Sequence, residues 1–456
     1  MIKLMNNSSN WLTGLSVMLF AGLAGLGCFS CNSHHFEGKI VAVEQADVEL
    51  TGEGARLVLL DPEKPDRKGK VLLEDFQSAC APSVSHDSRY LVFQGKEKAG
   101  DPWQIWMLDL KKGSRTRITQ LEENCTSPLV LPDMTILFSR EGRVKGKVVQ
   151  DLWHCGMDGC CLTRVTHNPA KNLYASILQE GRVLYYSTQE YPESRKAVLM
   201  VMRPDGTKAE LYTPGGCGLV PVSGGSESPD GHIYFISGSG KLSRVLHHRP
   251  LHTFEDLSGN LEGSFASVRA LSDGRILVSY RPTGTEPYAI YTYEPGSRNS
   301  PTPLFSSEKD LTDPLPVIRM KGRPRILPSA VNPGNPTGLL MSQDINHSML
   351  PVHKGITGDT LASRIRISTL DGELGQVDVK EDGSFYLKLD ADTPYRIETL
   401  NSQGETLRGP SDWIYLRPGE RRACTGCHAD PELAPENVQP MAVKEDPVVL
   451  ATVKTQ

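Results

Sequence analysis

The apolar positions of this 456-residue chain fall in short runs rather than helical stripes. Between about residues 55 and 320 one pattern recurs: a small or proline-containing entry, a turn of the PDG kind, then an apolar run. Its copies are APSVSHDSRYLVF (Ala81–Phe93), SPLVLPDMTILF (Ser127–Phe138), YASILQEGRVLYY (Tyr174–Tyr186), GSESPDGHIYFI (Gly225–Ile236) and ASVRALSDGRILVSY (Ala266–Tyr280). A second strand-like run follows each copy, as in QIWMLDL or AIYTYEPG, and a third follows most of them, as in RTRITQL and KAELYTP. The spacing of about 43–50 residues predicts four-stranded propeller blades.

A sixth blade can be assembled from both ends of this region, from Ala55–Phe76 and Asp313–Met320. Joining them in one sheet would close the ring and remove its edges. The strand–PDG–strand repetition resembles the TolB-type propellers. Lys321–Gly338 then holds four prolines and three glycines and reads as a boundary. Beyond it, Ser363–Leu407 alternates apolar and polar residues between turn signals at Asp371-Gly372, Asp382-Gly383 and Gln403-Gly404, which predicts a small antiparallel sandwich. The expected fold is therefore all-β, a propeller of six blades followed by a small β-sandwich-like domain. The expected boundaries are 1–35 for a signal, 50–322 for the propeller, 323–445 for the second domain and 446–456 for a tail.

Composition agrees with strands and turns, with 42 Gly and 32 Pro. The net charge of −5 and the absence of a basic stripe argue against a nucleic-acid partner. Lys3 precedes an apolar stretch, Trp11 to Leu26, that is short for a membrane span and predicts an export signal. Cys28 after Gly27 resembles a lipoprotein site and is a lipidation candidate. The expected location is the periplasm or cell envelope, with membrane attachment through that lipid or an uncleaved anchor.

Near the C-terminus lies Cys424-Thr425-Gly426-Cys427-His428. Haem c attachment needs two thiols for the two vinyl groups and an adjacent imidazole for the iron, and this spacing supplies them. A redox CxxC would sit at a helix start in a βαβ unit, and a four-ligand zinc site would want a second cysteine pair nearby. Neither context is visible, which ranks covalent haem first, zinc or another metal and a redox disulfide behind it. Candidates for a sixth iron ligand are His347, His353, Met341, Met349 and Met441. Arg417 and Arg421 in RPGERR are candidates for the haem propionates. Cys80 and Cys125 take matching places in successive blades near the axis, where they could pair or offer a thiolate to a metal. His154-Cys155 with Cys160-Cys161 invites a local disulfide.

Asp382-Gly383-Ser384-Phe385, Ala391-Asp392-Thr393-Pro394, Trp413-Ile414 and Arg417–Arg422 lead into the CxxCH. Together they resemble the middle domain of the hydrazine synthase alpha subunit and its relatives, which also follows a propeller. The resemblance implies a c-type haem between the propeller and the middle domain. It further implies a tyrosine iron ligand after the motif, with the motif histidine helping to bind zinc. No tyrosine follows His428 here, and Glu432 stands about where one would be wanted, so His428 is expected to ligate the iron. The expected function is an exported monohaem protein that transfers electrons to a redox partner or acts as a haem-dependent oxidoreductase on a small molecule. The alternatives are a propeller binding or scaffold protein with a structural or sensory haem, and a CxxCH that holds a structural metal.

Overall fold

The computed structural model describes residues 36–451 except 49–51, 189–196, 214–222, 260, 298–299, 320–321, 428, 431 and 434–436. The signal segment and Cys28 therefore lie outside the described residues, as does Cys217. The described chain is all-β, without an α-helix.

Six four-stranded sheets form the propeller. Blade two is typical: Ser78–Val84, Tyr90–Lys96, Gln104–Asp109 and Arg115–Arg117, in chain order from the axis outward. Its central strands are apolar on both faces because both faces are buried. Leu91 and Phe93 pack towards blade one and Val92 towards blade three. The same division holds in blade four, where Val183 and Tyr185 face blade three while Leu184 and Tyr186 face blade five. Each core cluster of the ring thus sits between two neighbouring blades. The turns after the innermost strands are built by aspartates that accept a backbone N–H two residues on, as Asp87 does from Arg89 (3.1 Å) and Asp273 from Arg275 (3.1 Å).

Blade one closes the ring. Asp310–Pro316 pairs antiparallel with Ile40–Gln45, which continues into Arg56–Leu60 and Lys70–Val71. The joining of the two ends is as expected, but Ile40–Gln45 is an additional strand and begins before residue 50. Val41 and Val43 face blade two while Ile40 and Ala42 face blade six, which makes this short segment part of the ring's core.

The second domain is a sandwich of two four-stranded sheets. One orders Arg421–Cys424, Thr337–Ser342, Phe385–Asp390 and Val448–Val449; the other orders Gly372–Asp378, Arg364–Thr369, Arg396–Leu400 and Thr406–Arg408. Leu340, Phe385, Leu387, Ile365, Ile367 and Leu407 fill the space between them. Two corrections follow. The sandwich is not purely antiparallel, since Arg421–Cys424 and Val448–Val449 pair parallel to their neighbours. The segment expected as a tail supplies Val448–Val449 to the sheet, and Leu450 packs against the sandwich core.

Candidate functional site

The motif begins on the last residue of Arg421–Cys424, with Cys424 opposite Ser342 in the parallel register. It then crosses the loop Asp344–His347. Gln343 N donates to the Cys424 carbonyl (2.9 Å) and Asp344 N to that of Thr425 (3.2 Å). A Cβ on Gly426 would lie 2.1 Å from the His347 carbonyl oxygen, so only glycine fits this approach. The loop is held in turn by Asp382-Gly383-Ser384. Ile345 N donates to the Gly383 carbonyl (2.8 Å), and Asp382 accepts from Ser384 N (3.0 Å) and Met441 N (2.7 Å). The DGSF piece of the sequence therefore braces the loop against which the motif lies.

Cys424 and Cys427 are free thiols, Cys424 exposed and Cys427 half-buried against the sandwich core. The protein packed around them raises both above the usual thiol value, Cys427 to about 11, with Arg422 opposing at Cys424 and Arg408 at Cys427. They are protonated thiols, not the activated thiolates of a redox CxxC. Arg408 is a residue the sequence reading missed. Its Nε donates to the Leu350 carbonyl (2.9 Å), while its Nη1 is buried without a partner near Cys427. Exposed apolar side chains bracket the motif, Met349 on the loop before it and Leu433 on the segment after it. These features fit covalent haem: two available thiols, exposed apolar side chains on either side of the motif and a guanidinium whose Nη1 has no partner. His428 lies outside the described residues. Of the other ligand candidates, His347, Met349, His353 and Met441 are exposed and Met341 is half-buried, with His347 on the loop that touches Gly426.

Arg417 corrects an expectation. It is buried, and its guanidinium reaches Asp392 (2.7 Å), the Asp205 carbonyl (3.1 Å) and His167 Nε2. It joins the sandwich to blades three and four and is not free for a propionate. Burial and the Arg417 charge depress His167 to about 3, so it stays neutral and accepts from Arg417. Arg421 is exposed at the start of the motif strand and keeps its candidacy. Between them, Pro418 and Gly419 (φ +75) make the tight turn closed by Glu420 N to the Arg417 carbonyl (2.9 Å). Buried Glu420 then accepts from Lys208 N of blade four (2.9 Å), Arg417 N (2.8 Å) and Arg422 (2.8 Å). The RPGERR piece is thus the seam that fixes the motif strand on the propeller.

The segment after the motif is tied to blade five. His252 contacts Asp430, Leu251 N donates to Glu432 (2.7 Å), and His252 lies 3.8 Å from Glu432. The three side chains offer ligand atoms within 4.8 Å of one another. One nitrogen and two carboxylates are a set a divalent cation can use. Glu432, at the place where a tyrosine was wanted, is thus turned to the propeller.

Cys80 and Cys125 do not meet. Cys80 pairs with Gln94 in the ladder and packs between blades one and two; Cys125 packs between blades two and three. Thr126, not Cys125, is the counterpart of Cys80, each preceding a left-handed residue (Ala81, Ser127) at a bulge. Each cysteine faces the blade before its own, so the sheet of blade two lies between them. Burial pushes both thiols to about 12, which disfavours a metal thiolate. Cys155, Cys160 and Cys161 are also free, so the local disulfide is not formed.

Residues 347–429 match the family model for the hydrazine synthase alpha subunit middle domain. The hydrazine synthase subunit alpha of Kuenenia stuttgartiensis is 23% identical over 511 residues, which take in 82% of this chain and 62% of that protein. The chain thus spans less than two thirds of that relative. The solved Kuenenia stuttgartiensis hydrazine synthase superposes with a TM-score of 0.77 at 20% identity, over 90% of this chain and 71% of that one. TolB from Acinetobacter baumannii gives a TM-score of 0.44 at 16% identity, over 61% of this chain and 66% of that one. The chain therefore resembles the hydrazine synthase alpha subunit, sharing its fold along most of the described length and its middle domain around the CxxCH.

Proposed function

We propose that the protein is an exported c-type haem protein with a redox role, its haem carried by the middle domain beside the propeller. The observation that carries this is the pair of free thiols at Cys424 and Cys427 on a strand end shaped around Gly426. The resemblance to the hydrazine synthase alpha subunit supports it. Cys424 and Cys427 would form the thioethers, His428 would ligate the iron, and Arg408 and Arg421 are the nearby cations for the propionates. The haem would supply one-electron chemistry or a site for a small molecule. In this reading residues 1–35 direct export, Cys28 is the lipidation site, and the domains divide near residue 322.

The test is the pyridine haemochrome spectrum of full-length protein made in cells competent for haem c maturation. The expected result is one covalent haem, lost in Cys424→Ser with Cys427→Ser while the far-UV dichroism stays strand-like. Absence of covalent haem in the unaltered protein overturns the reading. Five-coordinate iron that binds CO assigns small-molecule chemistry; six-coordinate low-spin iron assigns electron transfer.

A second reading rests on His252, Asp430 and Glu432. They would hold a divalent cation such as zinc that clamps the post-motif segment to blade five. Metal analysis of the purified protein against His252→Ala tests this, and equal metal content in both sinks it.

A further inference from the structure

Four blades carry a non-glycine residue in the left-handed region on the innermost strand: Ala81 (φ 50), Ser127 (φ 51), Tyr174 (φ 50) and Asp313 (φ 48). Each sits where the ladder shifts register at a bulge, and bulges re-aim side chains. The N–H groups freed by two of these bulges are taken by the preceding blade. Ser127 N donates to Gln94 Oε1 (2.8 Å) and Asp313 N to Ser267 Oγ (2.9 Å). These two backbone groups are thus satisfied, while several side chains on innermost strands are not. Thr126 Oγ1, Ser176 Oγ and Arg269 Nε are buried without a partner. The Arg269 guanidinium makes no hydrogen bond or ion pair among the described residues.

All three groups lie on innermost strands, those of blades three, four and six. The Asp313 charge of blade one acts on Arg269 of blade six, on Cys80 of blade two and on the Tyr174 hydroxyl of blade four. Blades one and four are not neighbours, so Asp313 and Tyr174 face each other across the axis. Arg269, Asp313, Tyr174, Thr126 and Ser176 all lie on innermost strands and each is half-buried.

We propose that the propeller axis is a binding site for a small oxyanion, anchored by the Arg269 guanidinium with the Thr126 and Ser176 hydroxyls as further donors. The class follows from the donors. A guanidinium offers only N–H groups and cannot give up its charge, and an unpaired one inside a protein is costly. The hydroxyls can turn to donate to the same acceptor. Asp313, on the neighbouring blade one, is pushed up to about 6 by burial, so it competes for the guanidinium above that pH and releases it below. The site belongs to the propeller and does not rest on haem at the CxxCH.

Calorimetric titration of the full-length protein with sodium formate, nitrate and sulfate, each alone and with chloride as control, tests this. At least one oxyanion is expected to bind saturably with one site. Arg269→Gln should weaken it about tenfold or more, the size of a lost charge-assisted hydrogen bond. Asp313→Asn should tighten it, because a competing negative charge is gone. Ser176→Ala, a small change in the same wall, should weaken it severalfold and serves if Arg269→Gln fails to fold. No saturable binding by any probe, or equal binding by the unaltered protein, Ser176→Ala and Asp313→Asn, overturns the proposal.

Discussion

A methyl group at Gly426 would press on the His347 carbonyl oxygen at 2.1 Å, and backbone on both sides leaves little room to yield. Gly426→Ala is expected to cost about 1–3 kcal/mol, the usual range for overpacking, seen as a lower melting temperature in scanning calorimetry. His167 gives a pH signature. Its native value of about 3 lies below the unfolded value of about 6.5. Between the two, the unfolded chain takes a proton that the native state refuses, so its contribution falls as pH drops from about 6.5 towards 3, by about 1.4 kcal/mol per unit. Asp151 and Asp313, raised by burial to about 6, act the other way as pH falls through that value. The comparison of wild type with His167→Gln isolates the histidine: urea denaturation at pH 7, 6 and 5 should show wild type losing ground to the variant on acidification. A constant difference would refute this. Residue roles were legible only where chemistry is written in adjacent positions. CTGCH announces itself, whereas Arg408 is brought to Cys427 by the fold and leaves no local trace. Arg417 was misread because its neighbours in sequence are not its partners: Asp392 lies in another turn and His167 in another domain.

At the scale of elements, the segment Trp413–Arg422 does two jobs, closing the sandwich and docking it. Ile414 bridges to Tyr395, and Tyr415 packs on His167. Glu420 is the hub, and its removal leaves the Arg422 guanidinium without its carboxylate. Glu420→Ala is expected to cost about 3–5 kcal/mol, as for a broken buried ion pair. Faster proteolytic cleavage between propeller and sandwich should accompany it. The central strands were legible because apolar runs of four or more residues between turn signals survive any tertiary context. Ile40–Gln45 was missed because it lies ahead of the repeats and pairs with Asp310–Pro316, far away in sequence. Val448–Val449 was missed because it is two exposed residues long and gains its strand character from Phe385–Asp390 alone.

For the whole molecule, the ring depends on Ile40–Gln45. Without it, Asp310–Pro316 and Arg56–Leu60 become open sheet edges, and the core between blades six and two loses Ile40, Val41, Ala42 and Val43. A chain beginning at residue 46 is therefore expected to lose cooperative thermal unfolding and to self-associate, measured by calorimetry and light scattering. Recovery of a monomeric, cooperatively unfolding protein would count against the closure as described.

That closure also sets a timetable. Gln45 and Thr312 touch across 267 positions of sequence, whereas the hairpins within each blade need only a few residues of loop. Local hairpins form quickly and distant pairings slowly. Sealing the ring is the late event in folding, and until then the chain holds two unpaired strands ready to accept those of another molecule. Refolding yield should accordingly be limited by concentration rather than by the stability of the finished protein.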